Sequence, residues 1–85
     1  MEYLIVAFRS REHTVKFYNF LKSVGVSSEI INTPKEAGVG CGLSVKTKKT
    51  DFYLVKRAVF YLNLSSFAGF FLSSFVGGKR TIKTI

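Results

Sequence analysis

Residues 2–8 are apolar at both alternating sets of positions, with Leu4, Val6 and Phe8 in one set and Tyr3, Ile5 and Ala7 in the other. A run apolar on both faces predicts a central strand covered on two sides. The period then changes. Ser10 offers a hydroxyl cap, and Thr14, Phe17, Leu21 and Val24, spaced by three and four, predict a helix over residues 11–24 with one inward stripe. Gly25 follows, the residue best able to take the left-handed conformation that ends a helix. Residues 26–32 predict a second strand, more polar at its start and so nearer an edge. Residues 42–48 predict a third, with Leu43 and Val45 alternating against Ser44 and Lys46. Thr50 and Asp51 open a second helix whose core stripe is Val55, Ala58, Val59 and Leu62; Tyr53, Phe60 and Tyr61 fall outside that stripe. Residues 67–76 predict a fourth strand, and Gly77-Gly78 a two-residue hairpin turn into a fifth strand at 79–85.

The order β-α-β-β-α-β with an extra C-terminal strand predicts an α+β fold of the ferredoxin-like, split βαβ kind, in which two helices cover one face of an antiparallel sheet. Residues 1–85 read as a single domain, without an internal repeat or linker. The other face of the sheet would carry many aromatics, with Phe70 and Phe71 filling an interface, so a homodimer is expected. The topology also predicts which residues meet. The turn after the first strand, the loop between strands two and three, and the end of the second helix share one end of the sheet. Arg9, Ser10, Cys41 and Asn63 should gather there, with Gly25, Lys48 and Lys49 at the opposite end.

Between the second and third strands lies Thr33-Pro34-Lys35-Glu36-Ala37-Gly38-Val39-Gly40-Cys41-Gly42, which holds the only proline, the only cysteine and three of the seven glycines. Such a concentration of special backbone residues predicts a shaped loop and marks it as the candidate functional stretch. Thr33 and Glu36 have capping-box spacing with Pro34 at the first helical position, predicting a helical turn at 34–37 that Gly38 ends.

Composition narrows the chemistry. Thirteen Lys and Arg against five Asp and Glu give a formal charge of +8, which favours anionic partners. Glu2 and Arg9 bracket only six uncharged residues, too few for an export signal, and the lone Cys permits no internal disulfide; both point to a reducing cytoplasm. Residues 58–78 carry no charge, and their length approaches the roughly 20 residues of a membrane span. Asn63, two Ser-Ser pairs and three glycines within the run instead predict a helix end followed by a strand, so no membrane segment is expected. One His, one Cys and scattered carboxylates offer no metal-ligand set and no cofactor motif. An enzyme using Cys41 as nucleophile would lack a base and an orienting carboxylate, because His13 is the sole imidazole.

The opening strand ending in Phe8-Arg9-Ser10, the segment Thr33-Pro34-Lys35-Glu36, and Cys41-Gly42-Leu43 before a strand together resemble the Putative Se/S carrier protein-like family over residues 3 to about 62. That family has small hydroxyl residues before the cysteine, where this chain has Gly38-Val39-Gly40. The resemblance implies a small carrier or accessory protein, not an enzyme, using Cys41 as the persulfide or selenosulfide site. Arg9, Ser10, Thr33, Pro34, Lys35, Gly40 and Gly42 would form the binding surroundings. A reactive thiolate needs nearby positive charge or N–H donors. Gly40 and Gly42 let backbone amides approach as an anion-holding nest, the amino end of the first helix adds partial positive charge, and Arg9 or Lys35 adds a full one. An acidic protein that donates or accepts the chalcogen would be the partner. Against this stands a bland reading, since free Cys often packs as a small apolar side chain; the flanking glycines favour exposure. The rival from another class is a nucleic-acid-binding module, which basic charge and aromatics suit. The third strand, however, has no aromatic in Cys41-Gly42-Leu43-Ser44-Val45-Lys46, where a base-stacking module needs one.

Overall fold

The computed structural model describes residues 2–85. The elements run β1 (Glu2–Phe8), α1 (Arg11–Ser23), β2 (Ser28–Asn32), a 3-10 turn (Lys35–Ala37), β3 (Leu43–Lys48), a second 3-10 turn (Lys49–Asp51), α2 (Phe52–Leu62), β4 (Phe67–Val76) and β5 (Lys79–Thr84). The strands form one five-stranded sheet in the order β2-β3-β1-β4-β5, every neighbouring pair antiparallel. β1 therefore lies at the centre, and β3 is inserted between the co-directional β1 and β2. This is the split βαβ order of the predicted ferredoxin-like α+β arrangement, extended by the β4–β5 hairpin.

The double apolar pattern of β1 has its cause in two cores. Leu4, Val6 and Phe8 face the helices and pack with Phe17, Leu21, Val45, Val55, Ala58, Val59 and Phe70. Phe17 sits against Phe8 with ring centroids 5.2 Å apart. Ile5 and Ala7 point the other way and pack with Phe71, flanked by Ile31, Ala37, Val39 and Ile82. β5 reaches across to the 3-10 turn Lys35–Ala37, so the two edges of the sheet approach each other over this second face. Phe70 and Phe71 are consequently both buried within one protomer, Phe70 edge-on to Phe52 on the helix side and Phe71 under the second face. The sequence expectation that they fill a dimer interface is corrected: the helix side covers Phe70, and the curled hairpin and the β2–β3 loop cover Phe71.

α1 ends one residue earlier than the apolar stripe suggests, and Val24 is exposed. The chain closes in a Schellman arrangement, with Val26 N–H donating to the Leu21 carbonyl (2.9 Å) and Gly25 N–H to the Lys22 carbonyl (3.1 Å). Gly25 takes φ +79°, and the turn brings Val26, in place of Val24, against the helix-side core. Ser10 caps the other end as predicted, its Oγ accepting from His13 N–H at 3.2 Å. At the end of the sheet away from this cap, Lys49 and Ser74 both donate to the carboxylate of Glu2, at 2.8 and 3.0 Å. The Lys49 hydrogen bond, then that of Ser74, holds Glu2 below its ordinary carboxylate range. The uncharged run at 58–78 divides into the end of α2, a short connection, β4 and the hairpin turn. No helix among the described residues is long and apolar enough to cross a membrane.

Candidate functional site

The β2–β3 loop is shaped by three backbone demands. Thr33 N–H donates to the Gly42 carbonyl at 2.9 Å and closes its base. Gly38, Gly40 and Gly42 take φ of +65°, +98° and +94°, a region costly for residues with a Cβ. Cys41 N–H donates to the Phe8 carbonyl at 3.1 Å, which docks the loop on the end of β1. At Gly40 an added Cβ would lie 3.2 Å from that same Phe8 oxygen, a tight contact that a side chain could make only if the loop or β1 shifted slightly.

The capping box predicted at Thr33 does not form. Its hydroxyl is 2.7 Å from Ser44 Oγ, a buried side chain on the neighbouring strand, and gives no side-chain cap to the turn. The physical reason is register: Asn32 pairs with Leu43, so Thr33 still lies beside β3 and finds Ser44 before any helical amide. Pro34 is buried at the start of the turn, and Gly38 ends it in the left-handed conformation.

The loop has two sides. On one, Arg9, Thr33, Pro34, Lys35, Gly40 and Gly42 line an open cleft of about 620 Å³ together with Gly38 and Val39. On the other, the half-buried Cys41 turns its Sγ towards α1. There it lies 3.7 Å from Thr14 Oγ1 and 3.7 Å from the Leu43 carbonyl. Thr14 Oγ1 also donates to the Ser10 carbonyl at 3.1 Å. The thiol therefore sits beside the first turn of α1, where the helix macrodipole presents partial positive charge. The amides of Val39, Gly40 and Gly42 donate to no protein acceptor among the described residues.

Ser66 ties the third component to this end. Its carbonyl accepts from Arg9 N–H at 2.7 Å, and its Oγ lies 2.6 Å from His13 Nδ1. Asn63, in the left-handed conformation at φ +49°, ends α2 just before this segment. Sequence reasoning thus located the end of the sheet where these residues meet, but missed Thr14. It read that residue as part of the buried stripe, which it is, and nothing in a helical period says that its hydroxyl faces a cysteine 27 positions later. The hydroxyl beside the thiol comes from α1. Among the described residues no three of His, Cys, Asp and Glu cluster as a metal-holding group.

Fold and site define a small α+β protein that presents one cysteine from a glycine-rich loop at the amino end of a helix. The chain belongs to the Putative Se/S carrier protein-like family, whose model matches residues 3–60. The matched stretch includes β1, the loop and most of α2; the β4–β5 hairpin lies beyond it. No curated protein and no solved structure matches the chain.

Proposed function

We propose that this protein carries a sulfur or selenium atom on Cys41, taking it from a donor protein and passing it to an acceptor in a reducing compartment such as the cytoplasm. The observation that carries the reading is the placement of Cys41 Sγ beside Thr14 and the amino end of α1, in a chain of this family. In the sulfur case the Cys41 thiolate attacks the outer sulfur of a donor persulfide. A new S–S bond forms at Cys41, the donor's S–S bond breaks, and its electron pair leaves on the donor thiolate, with no net oxidation. The persulfide anion so formed is favoured by the helix terminus and by a hydrogen bond from Thr14, which can turn its O–H from the Ser10 carbonyl to the adduct. Arg9 and Lys35, in the cleft on the loop's other side, supply the longer-range positive potential that draws an anionic donor group.

Reaction with iodoacetamide at neutral pH separates this reading from a packed, inert thiol. Cys41 of the native chain is expected to react faster than Cys41 of the chain unfolded in urea, because folding supplies the helix terminus and the Thr14 hydroxyl. Slower alkylation in the native state would remove the reading.

A further inference from the structure

α2 is apolar on nearly every side. Val55, Ala58 and Val59 are buried against the sheet, while Tyr53, Leu54, Phe60 and Tyr61 stand exposed on the opposite arc, Tyr61 at 77%. A helix apolar all round ordinarily lies inside an assembly, and a contiguous exposed apolar patch marks an interaction surface. Between α2 and the end of α1 this patch becomes concave. Phe20, Val24, Leu54, Arg57 and Tyr61 line a groove of about 350 Å³, its wall formed by the stacked Phe20 and Tyr61 rings at 5.5 Å.

The charge lining the groove is positive. The charged side chain in the lining is Arg57, which lies over the Tyr53 ring at 5.8 Å. The salt bridges among the described residues, Lys46–Glu29 and Lys49–Glu2, do not involve Arg57. α1 contributes Glu12 as its only carboxylate, in the first turn, and α2 contributes none. We propose that the groove between α1 and α2 docks an acidic amphipathic helix of a partner protein. Its apolar side chains at i, i+3 or i+4, and i+7 would enter between Phe20, Leu54 and Tyr61, and its carboxylates would meet Arg57. A second copy of this chain fits poorly, because it would bring another net charge of +8 and a second Arg57 to the same groove. A flat lipid surface would leave the concavity unfilled. The groove lies six to ten residues along α1 from Thr14, about 9–15 Å at 1.5 Å per residue. It extends the carrier reading by giving the partner a surface, yet it is tested without Cys41, so either can fail alone.

The test uses a fluorescein-labelled peptide of about 20 residues with leucines on one helical face and glutamates elsewhere. Its scrambled isomer and a lysine version serve as comparisons. Anisotropy is expected to show binding of the acidic amphipathic peptide that weakens with salt, with the scrambled isomer at least about tenfold weaker. Leu54→Ser and Arg57→Glu should each weaken it by about tenfold or more, with circular dichroism unchanged because both positions are exposed. Equal binding of the scrambled isomer, or indifference to both substitutions, would overturn the proposal. So would sedimentation as a dimer that Tyr61→Ser dissociates, or preferential binding to phosphatidylserine-containing vesicles that Leu54→Ser abolishes.

Discussion

Phe17→Ala is expected to bring the protein to the edge of unfolding at room temperature. The ring is wholly buried between α1 and the sheet and lies against Phe8, so its removal loses both the transfer of the ring from water and the filling of its space. Such truncations cost about 3–5 kcal/mol. Domains of ordinary stability have about 5–15 kcal/mol in all, and small ones bury a smaller fraction of their surface. At about 4–8 °C per kcal/mol for a domain of this size, the thermal midpoint should fall by at least roughly 12 °C. Tyr53→Ala, on the exposed arc of α2, should by contrast change stability by no more than about 0.5 kcal/mol. Urea titration of the two variants checks this directly; a loss below about 1 kcal/mol for Phe17→Ala would contradict the packing of α1 described above.

Gly40→Ala should damage the site while leaving the fold standing. Two costs coincide: φ is +98°, and the new Cβ would press on the Phe8 carbonyl at 3.2 Å. Together they are worth about 1–3 kcal/mol. The Phe8 oxygen is also the acceptor for Cys41 N–H, so relief of the clash comes by lifting the loop from β1 and moving Sγ from Thr14. Gly38→Asn provides the contrast, since φ is +65° with open space around the Cβ position and Asn tolerates this conformation. Gly40→Ala is expected to erase the native-over-unfolded difference in Cys41 alkylation, whereas Gly38→Asn should keep it. Equal behaviour of the two variants would mean that the approach to Phe8 does not position the thiol.

These two sites show what a sequence can carry. β1 announced its double burial because a strand apolar at consecutive positions has no wet side, and the α2 stripe was legible because Val55, Ala58, Val59 and Leu62 repeat at a helical period. Gly25 and the Gly77-Gly78 turn were legible because left-handed conformations select glycine. Thr33 was misread because its hydroxyl had two possible partners, and a capping box three residues away looks the same in sequence whether or not a Ser44 stands on the next strand. Phe71 was assigned to an interface because periodicity shows which face a ring is on, while the covering of that face depends on how far β5 curls towards the 3-10 turn. The Thr14–Cys41 contact was illegible for the same reason. It arises from the docking of a loop on the end of β1, a long-range event that no local pattern encodes.

The most direct test of the central claim is mass spectrometry of the intact reduced chain after incubation with a cysteine desulfurase and cysteine. The carrier reading predicts a gain of one sulfur atom, located at Cys41 by peptide mapping, removed by dithiothreitol and absent from Cys41→Ser. An unmodified Cys41, under conditions where the desulfurase itself becomes persulfidated, would contradict it.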